Sequence, residues 1–112
     1  MVEITLTDLP KVSNNKFYAG MHWAKRKALK DAFKLIIRSQ TKLVIDYPCE
    51  VIYSFGWKGR LLDISNCVGG LKMIEDVLFP DDSPKIVKKI TIISEKTKTD
   101  RVLIKVKNVN KC

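Results

Sequence analysis

The sequence predicts an α+β domain in which two helices pack on a small mixed β-sheet, with the elements in the order βαβαββ. Two stretches place apolar residues at the 3.6-residue period of a helix, and several shorter ones have the alternation or the Ile and Val content of strands. The 112 residues are 46% hydrophobic and 29% charged, which is typical of a soluble globular protein with a single core. Because no repeat or linker interrupts the pattern, residues 1–112 are interpreted as one domain.

The first half of the chain is predicted to contain a strand, a loop and a helix. Apolar and polar residues alternate over residues 2–8, as in a half-buried strand. Residues 10–20 are rich in Asn and Lys and are predicted as a loop. Residues 22–39 follow as a helix, whose apolar face is predicted to consist of Ala28, Leu29, Ala32, Phe33, Leu35 and Ile36.

The second half of the chain supplies the remaining strands and a second helix. Residues 49–57 alternate and place three aromatic side chains on one face, which indicates a strand. A helix is predicted from about residue 65 to residue 78, because Phe79-Pro80 ends it. Residues 85–95 are rich in Ile and Val, and residues 102–107 alternate, so both are predicted as strands.

Acidic residues are concentrated in one short part of this basic chain. The window 63–82 has a formal charge of −4 in a protein of net charge +9, so the remainder carries +13. Carboxylates that hold a hard cation such as Mg²⁺, surrounded by cations that hold phosphates, are what a metal-dependent nuclease needs. The acidic residues of this window are Asp63, Glu75, Asp76, Asp81 and Asp82.

The first predicted helix has a basic stripe opposite its apolar face. Lys27, Lys30, Lys34 and Arg38 follow one another at spacings of three or four residues, with Trp23 above them. Such a stripe is often only a solvated surface, and its like charges repel one another mildly. The net charge of the chain favours the alternative, a contact with the backbone of DNA or RNA.

The second predicted helix has one side that should face the core and an opposite side that could belong to a functional site. The core side comprises Cys67, Leu71, Ile74 and Leu78, whereas the opposite side comprises Ser65, Gly69, Lys72 and Asp76. Ser65 is the predicted N-cap. Gly69-Gly70 is costly inside a helix and suggests close approach of another backbone or of substrate, unless the helix begins only at Leu71.

Four carboxylates near this helix could converge on one cation. Their mutual repulsion disfavours full ionisation unless a cation lies among them. Mg²⁺ keeps several waters, so phosphate oxygens and a nucleophilic water can reach it, and Lys72 could stabilise charge on the phosphate. The alternatives are an ordinary turn at Asp81-Asp82 and an i,i+4 ion pair between Lys72 and Asp76. The candidate ligands are Asp63, Asp76, Asp81 and Asp82.

Other residue types favour no competing chemistry. The three cysteines have no Cys-x-x-Cys spacing, and Cys67 is predicted to be a buried thiol, so a structural zinc site is not expected. The only histidine, His22, is far in sequence from the carboxylates and is expected to cap a helix or contact DNA. No signal peptide or membrane-spanning stretch is recognised, and we expect a cytoplasmic protein with no membrane partner and no small-molecule substrate.

Two groups of motifs resemble the RusA family of Holliday-junction resolvases, which is common in phages and prophages. The first group is Leu62-Asp63-Ile64-Ser65-Asn66, then Lys72, Glu75-Asp76 and Asp81-Asp82. The second is the N-terminal segment Ser13-Asn14-Asn15-Lys16-Phe17-Tyr18, which resembles the family's Ser-x-Asn-basic-aromatic-aromatic segment. Together the motifs span roughly residues 10–90 in the same order as in the family.

This resemblance implies a homodimeric, Mg²⁺-dependent endonuclease, with Mn²⁺ as a substitute, that resolves four-way DNA junctions by paired nicks in recombination and repair. It implies catalytic roles for Asp63, Lys72, Asp76 and Asp82, with Asp81 as a further metal ligand. The basic stripe and Trp23, with Lys16 and Lys72, would then hold the DNA. Two-fold symmetry suits a reaction that cuts two strands.

The sequence departs from the family's pattern at one expected ligand. The family often shows Asp-x-Asp-Asn, whereas Ser65 stands at the second acidic position. The gap from Asn66 to Lys72 is longer than in the family's best-known member, and that from Asp76 to Asp81 is shorter. The sequence therefore leaves open a branched-DNA-binding protein with weak or lost catalysis. A third reading is a nucleic-acid chaperone whose acids only cap helices and form turns.

Overall fold

The fold is that of an α+β domain, as the sequence predicts. The computed structural model describes residues 1–10, 23–80 and 85–109. Within these ranges no helix is long and apolar enough to cross a membrane. The predicted loop after Pro10, with Lys16 and the N-terminal family-like segment, lies outside the described residues, as does His22. The elements are β1 (Val2–Thr7), α1 (Trp23–Gln40), β2 (Cys49–Trp57), α2 (Ile64–Leu78), β3 (Val87–Lys96) and β4 (Arg101–Asn108).

The four strands form one mixed sheet in the order β1-β4-β2-β3. β4 is antiparallel to both β1 and β2, while β2 and β3 are parallel. A parallel pair needs a crossover connection, and α2 provides it. β1 and β3 are therefore the edge strands, and β2 lies inside the sheet.

One face of the sheet carries the core. The alternating residues of β2 that face the helices are buried, and three of them have apolar partners on β4. The end of β1 is fastened to the end of α1 because Gln40 accepts a hydrogen bond from the Thr7 amide at 2.8 Å and donates one to the Thr7 carbonyl at 2.7 Å. The buried pairs are Val51 with Val106, Tyr53 with Ile104, and Phe55 with Val102.

The buried face of α1 differs from the predicted one. Phe33 and Ile37, four residues apart, are buried, whereas Leu35 is 75% exposed and Ala28 is also exposed. Leu35 lies about 200° around the helix from Phe33, so it cannot share the core face. The prediction was wrong for Leu35 and Ala28, and it missed Ile37.

The buried face of α2 agrees with the prediction. Cys67, Leu71, Ile74 and Leu78 are all buried, so the expected core side is confirmed. The helix begins at Ile64, which excludes a start at Leu71, and its N-cap is Asp63 rather than Ser65. Gly69, predicted on the outer side, is also buried. Most of the circumference of α2 is therefore covered by the rest of the protein.

Candidate metal and nucleic-acid site

A chain of hydrogen bonds holds the start of α2 against the sheet. The indole N–H of Trp57, at the end of β2, donates to Oγ of Ser94 on β3 at 2.9 Å. The Ser94 hydroxyl in turn donates to the carbonyl oxygen of Leu62 at 2.6 Å. The residue before Asp63 is thereby fixed to two strands. Sequence reasoning missed this role of Ser94, because no local pattern marks a hydroxyl that bridges two distant segments.

Asp63 presents an exposed carboxylate at the N-terminus of α2. Its backbone is extended, with φ −60° and ψ 149°, and its side chain makes no capping hydrogen bond. The first turn is instead closed by a backbone bond from the Asn66 amide to the Asp63 carbonyl at 2.8 Å. Ser65 is exposed within the same turn. This end of the helix can therefore offer one carboxylate and one hydroxyl to a ligand.

Lys72 and Asp76 lie together on the narrow exposed side of α2. Both side chains are exposed, and four residues of helix separate them by about 6 Å along the axis. Ion pairs of described residues include Lys27–Asp31, Glu95–Arg101 and Glu3–Lys105. In the described part of the chain, Lys72 and Asp76 do not form the structural i,i+4 pair. Both groups face solvent and can reach an external ligand.

Arg38 ties α1 to the C-terminal end of α2. Its guanidinium donates to the carbonyl oxygen of Leu43 at 2.7 Å and to that of Val77 at 2.5 Å. A backbone bond from Ile45 to Leu78, at 2.8 Å, satisfies another of the last carbonyls of α2. A cation at a helix C-terminus is also favoured by the helix dipole. Arg38, predicted as a DNA contact, therefore has a structural role that the sequence did not reveal.

The basic surface of α1, defined here as Lys27, Lys30 and Lys34, is exposed. Trp23, above these lysines, is 70% exposed. Lys27 lies 3.6 Å from Asp31, but both side chains are about two-thirds exposed or more, so water weakens that pair. The surface continues along the helix to Arg38. The guanidinium of Arg38 donates to the carbonyl oxygen of Val77, the residue after Asp76. The cations of α1 thus run toward the carboxylate end of α2.

The helix separates carboxylates that the sequence places in one window. Asp63 and Asp76 are 13 residues apart on α2, which corresponds to about 20 Å along the axis. Oxygen ligands lie about 2.0–2.6 Å from a bound Mg²⁺ or Ca²⁺, so these two carboxylates of one chain cannot share a cation. Within the described ranges, no group of three or more His, Cys, Asp or Glu residues could hold a metal. Asp81 and Asp82 lie outside those ranges.

Glu75, an acidic residue of the same window, faces the core. It is only 4% exposed and lies near enough to Tyr53 of β2 for its charge to act on that phenol. The Tyr53 hydroxyl is buried and has no hydrogen-bond partner within the described part of the chain. Burial, with the nearby charges of Glu75 and Cys49, raises the pKa of Tyr53, so the phenol stays neutral. Burial likewise raises the pKa of the Cys49 thiol. These groups do not form a solvent-accessible catalytic set.

The described site thus has three parts, which are the Asp63 end of α2, the Lys72–Asp76 pair, and the basic surface of α1. Among the described residues, one chain places an exposed carboxylate at each end of α2, and the two cannot bind the same ion.

Comparison with known proteins does not assign the chain to a family. A scan against protein-family models finds no match, and a search of curated proteins finds none either.

Proposed function

We propose that this protein is a Mg²⁺-dependent, structure-specific endodeoxyribonuclease that nicks branched DNA such as four-way junctions. The observation that carries the proposal is the course of the basic surface of α1, which leads to the helix end beside the exposed Asp76. In this proposal the cations that bind a phosphate backbone lie on the helix whose Arg38 contacts the Asp76 end of α2, where the carboxylate binds a metal. The resemblance of the short motifs to the RusA family supports the same reading.

Each part of the site has a distinct task in this proposal. Lys27, Lys30 and Lys34 hold backbone phosphates, and their contribution is electrostatic and independent of sequence. Trp23 extends this surface, and Lys16 is proposed as a further DNA contact. Lys72 contacts the phosphate to be cut and stabilises the negative charge that develops on it.

The carboxylates hold the cation and orient the attack. Asp76 and Asp82, with Asp81, form one part of the ligand set, and Asp63 forms the other. A bound Mg²⁺ or Mn²⁺ supplies Lewis-acid polarisation and a water of lowered pKa. Ser65, at the position where the family carries an acid, would hold a water of the cation through its hydroxyl.

Because Asp63 and Asp76 of one chain are about 20 Å apart along α2, we place the complete ligand set between two copies. In a two-fold symmetric dimer, Asp63 of one copy and Asp76 of the other can approach each other, and symmetry then generates two equivalent sites. Two sites suit paired nicks in a branched substrate.

The decisive experiment is cleavage of a labelled four-way junction and of a matched linear duplex, in Mg²⁺ and in EDTA. We expect nicks on the junction alone, lost in EDTA. Asp82→Asn and Asp76→Asn should abolish cleavage but retain junction binding, because binding depends on the lysines. Lys107→Gln, exposed on β4 on the face of the sheet opposite to the core, is the matched control and should cut normally. Cleavage by Asp82→Asn at the wild-type rate would rule out this assignment.

Mixing two inactive variants tests whether each site draws on two chains. If it does, Asp63→Asn mixed with Asp76→Asn restores cleavage, because the mixed dimer contains one site with both carboxylates. If each site lies within one chain, the mixture stays inactive. The double variant Asp63→Asn/Asp76→Asn mixed with wild type gives the reciprocal result and serves as the control.

A second candidate function is a branched-DNA-binding protein without catalysis. Ser65 in place of the expected acid favours it, as does the separation of Asp63 from Asp76. This alternative predicts tight, salt-sensitive junction binding and no product in either Mg²⁺ or Mn²⁺. The cleavage assay above therefore separates the two functions.

A further inference from the structure

Two large aliphatic side chains flank Asp63 in sequence and are exposed to solvent. Leu61, two residues before it, is 46% exposed, and Ile64, directly after it, is 53% exposed. Single exposed aliphatic residues are common on protein surfaces. Here two of them lie on either side of a proposed metal ligand, so a substrate that approaches this carboxylate also meets apolar surface.

The loop that carries Leu61 is fixed to strand β3 on both sides of this residue. Before it, the carbonyl oxygen of Gly59 accepts a hydrogen bond from the ammonium of Lys96 at 2.8 Å. After it, the carbonyl oxygen of Leu62 accepts the bond from the Ser94 hydroxyl at 2.6 Å. Because the backbone is held at both points, it keeps the Leu61 side chain at the surface, where a ligand can contact it.

Exposed cations accompany this apolar pair. Lys58 and Arg60 precede Leu61 in the same loop, and Lys98 lies in the turn between β3 and β4. That turn is joined to the loop, because the amide N–H of Lys58 donates to Oδ1 of Asp100 at 2.7 Å. Apolar groups beside cations fit a polyanion that also offers apolar faces, which is the chemistry of a nucleic acid with unstacked bases.

We propose that Leu61 and Ile64 contact the faces of bases whose stacking is interrupted at a DNA branch point, while Lys58 and Lys98 bind the adjoining phosphates. In a continuous duplex each base face is covered by its neighbours, so the apolar pair has nothing to contact. A branch point exposes base faces, and aliphatic side chains of DNA-binding proteins pack against unstacked bases. This assignment rests on the proposed function, because it names the feature of the substrate that the Asp63 end of α2 recognises.

The small extent of the apolar surface favours DNA over a lipid membrane. A helix that lies on a membrane buries an apolar face along its length. The exposed residues of α2 after Ile64 are instead polar, namely Ser65, Lys72 and Asp76. Two aliphatic side chains suffice to cover a base, and the exposed carboxylate between them in sequence opposes insertion into hydrocarbon.

Binding and 2-aminopurine fluorescence, both measured in EDTA, test the proposal without cleavage. The probes are a four-way junction with 2-aminopurine at the branch point and a linear duplex of matched sequence. The wild type should raise the fluorescence of the junction alone, because unstacked 2-aminopurine is brighter than stacked 2-aminopurine. The double variant Leu61→Ala/Ile64→Ala should lose this rise and bind the junction roughly 5- to 30-fold more weakly, with unchanged affinity for the duplex. Leu61→Met, which retains an apolar side chain of similar volume, should behave like wild type.

Two further variants separate apolar from electrostatic contacts. Lys58→Gln should weaken binding of junction and duplex alike and reduce the slope of log affinity against log salt by about one. The double variant should keep the wild-type slope, because it removes no charge. Ile93→Ala, an aliphatic truncation on the open face of the sheet, is the matched control and should bind the junction like wild type. Thermal unfolding checks that each variant is folded.

The assignment is overturned if the wild type binds the junction without a change in fluorescence, or if the double variant keeps the wild-type preference for the junction. A double variant whose self-association changes in sedimentation would assign the apolar pair to a contact between copies. Binding to phosphatidylserine vesicles that is lost in the double variant would assign it to a lipid surface. A wild type that binds neither DNA probe would refute the proposed function as well.

Discussion

Replacing Arg38 with alanine tests whether this residue serves the fold or the DNA. In the structure its guanidinium spans from α1 to the loop carbonyl of Leu43 at 2.7 Å and to the α2 carbonyl of Val77 at 2.5 Å. A third, longer contact reaches the Thr41 carbonyl at 3.5 Å. Arg38→Ala removes the guanidinium donors, so these half-buried carbonyl oxygens must accept hydrogen bonds from water instead. We therefore expect a loss of stability rather than only a loss of DNA affinity.

The size of the loss follows from the two short bonds. A hydrogen bond from a charged donor contributes about 1.5–3 kcal/mol, and the two share one side chain, so their contributions do not simply add. The position of the cation at the end of α2 contributes ~0.3–1 kcal/mol more. We expect Arg38→Ala to lower the free energy of unfolding by about 2–4 kcal/mol in total. At about 4 °C per kcal/mol for a chain of 112 residues, Tm should fall by about 8–16 °C.

Urea and thermal unfolding, followed by far-UV circular dichroism, measure this loss. The matched control is Lys34→Ala, one turn earlier on the same stripe, whose side chain is exposed and unpaired with any described residue. Its stability should change by less than about 0.5 kcal/mol, while its affinity for DNA falls. If Arg38→Ala unfolds like wild type and loses only DNA affinity, the structural role assigned to Arg38 is refuted.

Three further substitutions test the packing of the core and of the glycines. The pKa of Tyr53 is raised above its ordinary value of 10.0 in the folded protein. Above pH 10 the unfolded chain therefore releases the phenol proton while the folded protein keeps it, so the stability of the wild type should fall. Tyr53→Phe should reduce this slope by up to about 1.4 kcal/mol per pH unit in urea titrations at pH 9–11. Gly56→Ala should destabilise by about 1–3 kcal/mol, because its Cβ would lie 2.6 Å from Oγ1 of Thr97. Gly70→Ala should instead stabilise α2 by about 0.5–1 kcal/mol, since its Cβ would meet only a ring carbon of Phe55 at 4.0 Å; equal signs for the two alanines would contradict this account.

Local periodicity explains which parts of the fold could be predicted. The bounds of β2 agree with the alternating stretch 49–57, and both helices begin and end within one or two residues of their predicted limits. Alternation and helical period are properties of residues close in sequence, so they can be recognised without knowledge of the tertiary contacts. The core side of α2 follows from the same rule, since Cys67 and Leu71 are one turn apart and both are buried.

The features that escaped prediction depend on contacts between distant parts of the chain. Arg38 belongs to the basic stripe by its spacing, and only the position of α2 shows that Val77 accepts a bond from it. Leu35 is apolar and lies close in sequence to the buried residues of α1. It is nevertheless exposed, because Phe33 and Ile37 determine which side of α1 faces the core. The bond from Ser94 to Leu62 joins residues 32 positions apart and leaves no local pattern.

The acidic window shows most clearly how closeness in sequence can differ from closeness in space. A helix rises about 1.5 Å per residue, so the carboxylates at the two ends of α2 diverge although their window is short. If these carboxylates act on one cation, catalysis and self-association must depend on each other. Dilution tests this dependence, because it changes the fraction of dimer and leaves every proposed ligand in place.

We expect the cleavage rate per chain to fall on dilution in parallel with the fraction of dimer. Cleavage of the junction and sedimentation at the same protein concentrations measure the two quantities. If the monomer still cuts at the wild-type rate per chain, the cation is held by one chain, and Asp63 and Asp76 cannot both be its ligands.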